Sequence, residues 1–193
     1  MFLLKEPSEE TIRGFLSSQR DRPFSYAETG ATADKPPAGY TVDHNRVRLG
    51  EGAETFARAE EALRSWKMFH IDWVRLLWPD TPIEAGETVG VLIHHYSIWS
   101  LNACRIVYTI EEPGPVRRFG FAYGTLPDHG ERGEERFTVE WRRDDDSVWY
   151  DLLAFSRPNL FLAKIGRPMV RRLQKRFARD SKKAMVEAVR RSG

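Results

Sequence analysis

The second half of the chain alternates between apolar and polar residues with the period of a β-strand. Phe137, Val139 and Trp141 alternate with polar or charged neighbours, a pattern that is typical of a strand with one covered face and one face in water. The segments of this character are residues 89–99, 101–111, 119–125, 134–142 and 147–155. They predict a series of successive strands.

Short polar connections separate most of these strands. They contain Gly, Pro or runs of Asp, which are residues that favour turns. No helical interval between them is long enough for the crossover that parallel neighbours require, so we expect antiparallel pairing. The predicted turns lie at residues 112–115, 126–133 and 144–146.

The first half of the chain predicts helices, a strand and a long loop. Ser8 is placed to cap a short helix. Residues 20–39 are rich in Asp, Pro, Gly and Ala and predict a loop, whereas residues 40–49 alternate in part and predict a strand. Residues 53–66 repeat apolar side chains at helical spacing, and residues 67–78 are ambiguous between helix and strand.

An amphipathic helix is predicted near the end of the chain. Pro168 suits a first helical turn, where its missing amide N–H would have no partner within the helix. Apolar or small side chains then recur at three- and four-residue steps and form a narrow stripe, which consists of Val170, Leu173, Phe177, Ser181, Ala184 and Ala188. We expect this stripe to cover the apolar face of the sheet.

Length and composition fit one folded domain. A chain of 193 residues buries a substantial core, and an aromatic content of 12% is typical of a folded protein. We predict an N-terminal extension over residues 1–39, packed on a domain of residues 40–193. Lys5 and Glu6 interrupt the apolar start of the chain, so neither a signal peptide nor a membrane span is predicted and a cytoplasmic location is expected.

The chain contains one cysteine, Cys104. A single thiol excludes an intramolecular disulfide and any metal site built from several thiolates. Because Cys104 lies within an apolar strand pattern, we predict an unreactive buried thiol.

Charge is distributed unevenly along the chain. Residues 157–193 carry 12 Lys and Arg against 2 Asp and Glu, whereas residues 1–156 carry 18 and 26. A basic end attracts nucleic acid, anionic lipid or acidic partners, but the solvated face of an amphipathic helix has the same composition. The predicted buried stripe takes Phe177 away from the basic surface, so no aromatic side chain is left there to stack on bases. We therefore predict no specific nucleic-acid binding and favour the solvated face.

The connection around residue 129 concentrates polar side chains suited to a functional site. His129 with Glu131 and Glu134 would supply a general base and its orienting carboxylate, or two to three metal ligands. The same residues are equally compatible with solvated charge on a hairpin, and no spacing matches an established metal site, nucleophile elbow or phosphate-binding loop. The candidates of this region are Tyr123, Thr125, His129, Glu131 and Glu134.

Further candidates for ligand binding are Tyr26, Tyr96, Tyr108 and Arg118. A strand tyrosine more often belongs to the core, with its hydroxyl at the rim. Arg118 would form a bidentate contact with a carboxylate or phosphate, or a structural ion pair with Glu135 or Glu140. His94 and His95 are neighbours on a predicted strand and point to opposite faces, so they do not hold one metal ion together.

A specific run of residues carries a resemblance to a known family. The run is Arg-Phe-Gly-Phe-Ala-Tyr-Gly-Thr-Leu-Pro at residues 118–127, followed by His129, Glu131, Gly133, Glu134, Glu135 and Phe137. It resembles the uncharacterised family called domain of unknown function nineteen-ninety, found in bacteria and plants. Supporting matches extend over nearly the whole chain and include Tyr26, Gly30, Thr32, Trp66, Asn102 and Cys104.

The resemblance implies an α+β fold. The layout is similar to the helix-grip arrangement of the START and birch-pollen-allergen superfamily, in which a curved antiparallel sheet wraps a long C-terminal helix around an apolar cavity. It implies no activity, because the family has none established and because folds are shared between unrelated functions.

Three functional hypotheses follow. The first is binding of a small, largely apolar or amphipathic ligand in a sheet-helix cavity, with Tyr123, Thr125, His129 and Glu131 at the mouth and Arg118 as an anion clamp. The second is a cofactor-free or metal-assisted hydrolase or cyclase in which His129 is the general base. The third is an interaction module that uses the basic helix. Neither a cofactor nor a resident metal is predicted, and the sequence does not determine the oligomeric state.

Overall fold

One antiparallel sheet is the main element of the fold. The computed structural model describes residues 1–159 and 167–191. Within these residues the strands are β1 (Phe2–Leu3), β2 (Thr41–Glu51), β3 (Val74–Leu77), β4 (Thr88–His95), β5 (Ile98–Glu112), β6 (Val116–Thr125), β7 (Glu131–Arg142) and β8 (Ser147–Pro158). Their order across the sheet is β2-β8-β7-β6-β5-β4-β3, and β1 pairs with β5. Every pairing is antiparallel, as the short connections predict.

The described helices lie between and after these strands. They are α1 (Glu9–Gln19), α2 (Gly52–Arg64) and α3 (Arg167–Arg191), with 3₁₀ turns at Ala31–Ala33 and Lys67–Phe69. Ser8 caps α1 as predicted, because its side-chain oxygen accepts a hydrogen bond from the amide of Thr11 at 3.2 Å. The ambiguous segment of residues 67–78 divides between the second 3₁₀ turn and β3.

The connection between β6 and β7 is shorter than predicted. β7 begins at Glu131, so Glu131 belongs to a strand and the connection covers residues 126–130. The side chain of Thr125 closes the end of the hairpin, since its Oγ1 accepts a hydrogen bond from the amide of Gly133 at 2.9 Å. The backbone of Gly133 has a φ of 151°, which marks a local irregularity in β7.

Helix α3 packs on the inner face of the sheet. Its fully buried residues include Ser181, Met185 and Val189, and the hydroxyls of Ser181 and Tyr150 lie 2.9 Å apart. Met185 and Val189 replace the predicted Ala184 and Ala188 in the most buried positions, because the buried stripe continues from Ser181 at four-residue steps. The curved antiparallel sheet holding its C-terminal helix confirms the predicted α+β class and helix-grip arrangement.

Aromatic side chains fill the middle of the space between sheet and helices. The ring of Phe121 lies 4.9 Å from Trp66 and 5.2 Å from Phe137, measured between centroids. Phe69 lies 5.7 Å from Phe137 and connects this cluster to Phe177 of α3, at 5.4 Å. Beyond Phe69 and Phe177, toward residues 126–130, the interior is no longer filled by side chains.

Residues 1–39 contact the sheet at three places. β1 adds to the sheet beside β5, and α1 packs its apolar face against β4 and β5, where it meets Leu92 and Leu101. The loop of residues 25–32 lies on the outer face across β6 and β7. The amide of Ser25 donates a hydrogen bond to the carbonyl oxygen of Thr125 at 2.9 Å. The division into residues 1–39 and 40–193 stays a prediction.

Candidate functional site

A cavity of about 240 Å³ lies between the sheet and α3. It begins where the aromatic cluster ends and extends toward the turn between β6 and β7. Side chains from the sheet, from the segment before β3 and from α3 form its apolar walls, among them Phe69, Trp73, Val91, Leu152, Leu173 and Phe177. Predominantly apolar walls are the composition expected of a small-molecule site.

Small residues on the inner face of the sheet leave this space open. Ala154 and Ser156 of β8 and Gly133 of β7 all line the cavity, and Ser156 is paired with Gly133. A Cβ at Gly133 would lie 1.9 Å from the carbonyl oxygen of Phe155, so this position requires glycine. A large side chain at Ala154 would instead project into the cavity.

Glu135 and Tyr123 form the central polar pair of the cavity. They are direct cross-strand partners on β7 and β6, and the Tyr123 hydroxyl donates a hydrogen bond to Glu135 Oε2 at 2.8 Å. Burial raises the pKa of Glu135 to about 7; the hydrogen bond from Tyr123 opposes this shift, and the negative charge of Asp43 adds to it. Burial and the charge of Glu135 also raise the pKa of Tyr123 well above its usual range. Glu135 is thus a carboxyl group that changes protonation near neutral pH.

His129 lies at the turn end of the cavity as a neutral imidazole. Its Nδ1 accepts a hydrogen bond from the backbone amide of Glu131 at 3.0 Å, and both residues line the cavity. Burial, with the nearby positive charge at Met1, lowers the pKa of His129 to about 4. The partner of the imidazole is therefore a backbone N–H, and the ring is uncharged at neutral pH.

The side chain of Glu134 lies on the opposite face of β7 from Glu135. Its Oε2 accepts hydrogen bonds from the Tyr26 hydroxyl and the Gly30 amide, both at 2.7 Å, and its Oε1 accepts the Thr32 amide at 2.9 Å. The Thr32 hydroxyl also contacts Oε1 and lies 2.8 Å from the Tyr108 hydroxyl. Three predicted site residues, Tyr26, Tyr108 and Glu134, thus come together in a buried network that fastens the N-terminal loop to the outer face.

The remaining predicted residues lie in different surroundings. Thr125 lines the cavity, and its hydroxyl lies 2.6 Å from that of Ser25. Arg118 lies on the outer side of the sheet, where its guanidinium donates to Glu140 and Glu112, both at 2.9 Å. Tyr96 occupies the tight turn between β4 and β5 and is 74% exposed. The structure does not bring Arg118 and Tyr96 together with His129.

A polar network at the mouth connects α3 to β2. The guanidinium of Arg171 donates to both carboxylate oxygens of Asp43, at 2.5 and 2.8 Å. The amide of Gln174 donates to Ser156 Oγ at 2.9 Å and to Glu131 Oε2 at 3.4 Å. These contacts hold the first turns of α3 against the open end of the cavity.

Three features of the described residues bear on metal binding, membrane insertion and thiol reactivity. In the described parts of the chain no group of three or more His, Cys, Asp and Glu side chains is arranged to hold a metal ion. None of the described helices is both long and apolar enough to cross a bilayer. Cys104 is buried, and burial raises the pKa of its thiol.

The sequence did not single out Glu135 and Asp43 as site residues. Glu135, Phe137 and Val139 are alternate residues of β7 and therefore lie on the same face of the strand. The alternation of β7 thus indicates that Glu135 points toward the helix. Asp43 lies in the same row across the sheet, because Asp43 pairs with Ala154 and Ala154 pairs with Glu135. That row depends on strand register, which the sequence pattern does not determine.

Comparison with known proteins agrees with this architecture. A family model described as domain of unknown function (DUF1990) matches residues 25–184. A UPF0548 protein of Dictyostelium discoideum is 38% identical over 208 residues, which cover 98% of this chain and 96% of the relative. A UPF0548 protein of Deinococcus radiodurans is 40% identical over 202 residues, covering 97% and 98%.

Solved structures share the fold at low sequence identity. The crystal structure of TTHA0849 from Thermus thermophilus is similar with a TM-score of 0.52 and 13% identity, covering 79% of this chain and 99% of that one. Such a likeness concerns the fold and carries no function. The extent of the family match and the identity to full-length relatives establish the affiliation: the chain belongs to the uncharacterised domain of unknown function family (DUF1990).

Proposed function

We propose that this protein binds a small, largely apolar ligand in the cavity between α3 and the sheet. The observation that carries the proposal is the cavity of about 240 Å³ with predominantly apolar walls. An apolar cavity of about 150 Å³ already admits benzene, so this larger space suits a ligand with a body of up to about three rings. The side chains that line the cavity leave its interior open, whereas aromatic side chains fill the neighbouring part of the core.

Polar groups at one end of the cavity would orient the ligand. Tyr123, Thr125, His129 and Glu131 line this end, with Glu135 between them. A few convergent polar groups in an apolar pocket are the usual source of orientation and specificity. Arg118 stays outside the proposal, because Glu112 and Glu140 already pair with its guanidinium.

A cavity-filling substitution tests the proposal. The neutral fluorescent probe N-phenyl-1-naphthylamine should bind the native protein, and Ala154→Phe should weaken that binding at least about tenfold by occupying the space. Val42→Phe is the matched control, because Val42 is 47% exposed on the neighbouring strand β2 and the added ring stays outside the cavity. Equal binding by the native protein and Ala154→Phe would overturn the proposal.

Native mass spectrometry gives an independent measurement. Protein purified from its own host should carry additional mass corresponding to a retained small molecule. The Ala154→Phe variant, purified in the same way, should lose that mass while the Val42→Phe control retains it. Retention by both variants would contradict the cavity as the site.

Acid-base catalysis is a second candidate function, favoured by the protonation behaviour of Glu135. A carboxyl group with a pKa of about 7 beside an apolar cavity meets the requirement for a general acid or base at neutral pH. Because Nδ1 of the neutral His129 imidazole accepts the Glu131 amide, its Nε2 carries the proton and would donate a hydrogen bond to the substrate in a cofactor-free hydrolase or cyclase.

The variant His129→Ala separates catalysis from binding. If the protein is an enzyme, His129→Ala retains the fold and abolishes turnover of p-nitrophenyl butyrate or another activated ester. If the role is binding alone, the affinity for N-phenyl-1-naphthylamine changes modestly. Circular dichroism checks that the variant is folded, and undiminished turnover by a folded variant would exclude His129 from the catalytic step. A cytoplasmic location stays a prediction.

A further inference from the structure

We infer that the ligand of this cavity is an apolar amine, bound as its ammonium ion by the Glu135 carboxylate. The inference deepens the proposed function, on which it rests, by naming the chemical class of the ligand. Its basis is the sign and the position of the charged groups around the cavity.

The charged side chains of the cavity lining are acidic. Among the described residues that line it, Asp43, Glu131 and Glu135 are acidic and none is Lys or Arg. Glu134 also lines it, but its carboxylate is held on the outer face of β7. The nearest guanidinium at the mouth, that of Arg171, is engaged with Asp43. An acidic, low-dielectric space attracts cations and repels anions, so a carboxylate ligand would meet like charge.

Glu135 is the one of these groups best placed to meet a ligand. Asp43 is paired with Arg171, and Glu131 accepts the amide of Gln174 at the mouth. Glu134 accepts hydrogen bonds on the outer face of β7. Glu135 Oε2 accepts the Tyr123 hydroxyl, and no hydrogen bond to its Oε1 occurs within the described chain. A desolvated carboxylate without a cation is unfavourable, and a ligand ammonium would provide a charge-assisted hydrogen bond.

The other groups that face Glu135 do not supply a positive charge. Tyr123, Asp43, Cys104 and Tyr150 are its titratable neighbours on the sheet, and none is basic. The helix contributes Arg171, which Asp43 neutralises, together with the neutral Gln174 and the apolar Leu173 and Phe177. The imidazole of His129 is uncharged at neutral pH. Among the described residues no side chain supplies a cation at this position, which leaves the ligand to provide one.

Aromatic side chains complete the fit for an ammonium ion on an apolar body. Phe69 lies 6.3 Å from Tyr123 and 5.4 Å from Phe177, measured between ring centroids, and all three line the cavity. Their faces and edges pack against a hydrocarbon or aromatic body, and a ring face adjacent to the ammonium contributes a cation–π interaction.

Binding of an amine through Glu135 makes the affinity depend on pH in a defined direction. Because the pKa of Glu135 without ligand is about 7, an ammonium must displace its proton at lower pH. The affinity should therefore fall about tenfold for each pH unit below 7. Above pH 7 it should reach a plateau that ends where the ligand amine itself loses its proton, near pH 10.

Three ligands with the same hydrocarbon body test the inference. Displacement of N-phenyl-1-naphthylamine is measured with 4-phenylbutylamine, 4-phenylbutanol and 4-phenylbutyrate at pH 8. The amine should bind at least about tenfold more tightly than the alcohol, and the carboxylate should bind most weakly. Glu135→Gln should remove the advantage of the amine and leave the affinity for the alcohol within about threefold. Glu111→Gln, which removes an exposed carboxylate from β5, should change neither.

A second variant provides a test that does not require removal of the carboxylate. The hydrogen bond from Tyr123 lowers the pKa of Glu135, so Tyr123→Phe should shift the midpoint of the pH profile for amine binding to higher pH. If the carboxylate ligand binds best, or if the profile for the amine is flat between pH 5 and 8, the inference is overturned while the cavity proposal stands. Failure of the probe and of all three ligands to bind would overturn both.

Discussion

Glu134 and Glu135 are consecutive residues with opposite surroundings. The alternation of β7 directs Glu134 to the outer face, where two hydroxyls and two backbone amides donate to its carboxylate. Glu135 points inward and receives the Tyr123 hydroxyl beside an open cavity. Both carboxylate oxygens of Glu134 accept hydrogen bonds from the N-terminal loop, whereas Oε1 of Glu135 is available to another partner.

Glu135 should make the stability of the protein depend on pH. Its folded pKa of about 7 lies above the ordinary value of 4.5. The folded state therefore binds this proton more tightly, and the free energy of unfolding should fall as pH rises from 4.5 to 7. Glu135→Gln removes the titrating group and with it this fall in the free energy of unfolding. The variant should therefore be more stable than the native protein by about 1–3 kcal/mol at pH 8, and the difference in stability should be small at pH 5.

Urea unfolding followed by tryptophan fluorescence measures this difference at both pH values. Glu111→Gln serves as the control for loss of one negative charge at an exposed position. A stability difference for Glu135→Gln that is the same at pH 5 and pH 8 would show that the carboxyl does not titrate between them.

Glu134 should be required for stability rather than for ligand binding. Glu134→Ala leaves the amides of Gly30 and Thr32 and the hydroxyl of Tyr26 without their acceptor, which should cost about 3–5 kcal/mol in the free energy of unfolding. Tyr26→Phe removes one of these donors and should cost about 1–2 kcal/mol. Hydrogen exchange should show the largest loss of protection in residues 25–32, and protection unchanged there would contradict the assigned role.

The position of α3 is determined by the side chains that it buries. Met185 is fully buried, whereas the side chain of Lys183 is 77% exposed on the same helix. Met185→Ala should lower the free energy of unfolding by about 2–4 kcal/mol through the cavity that it creates, and Lys183→Ala should change it by less than about 0.5 kcal/mol. Chemical denaturation compares the two variants, and equal effects would mean that the helix presents a different face to the sheet.

Long elements could be predicted from the sequence, and short ones could not. β7 spans 12 residues, so its alternation is unambiguous. β1 and β3 have only two and four residues, and a pattern of that length does not distinguish a strand from a loop. The end of α3 shows a similar limit, since Ala184 and Met185 are both apolar and helical spacing alone does not choose between them.

The candidate site could be predicted only in part, because it depends on strand register as well as on local sequence patterns. His129, Glu131, Tyr123 and Thr125 stand close together in the sequence and do line one cavity. Tyr26, Tyr108 and Glu134 also meet, but on the other face of the sheet. The open space itself depends on small residues of β7 and β8 that strand register brings together, and no local pattern contains that information.

The charge asymmetry of the whole molecule is partly neutralised within the fold. Arg171 of the basic helix pairs with Asp43 of the sheet. An interaction module based on the exposed cations of α3 stays a prediction. Binding to heparin, if it occurs through these cations, should be strong at about 50 mM salt and lost at about 500 mM, because it depends on counterion release. Heparin binding that persists at the higher concentration would exclude this electrostatic interaction.

The fastening of residues 25–32 to the outer face of β7 has a consequence for any shortened form of the protein. A fragment that began at residue 40 would lose every donor that Glu134 has among Tyr26, Gly30 and Thr32. The bare carboxylate would then draw water into the outer face of β7, one residue from Glu135. The geometry of the acid in the cavity therefore depends on a loop whose Tyr26, Gly30 and Thr32 do not line it.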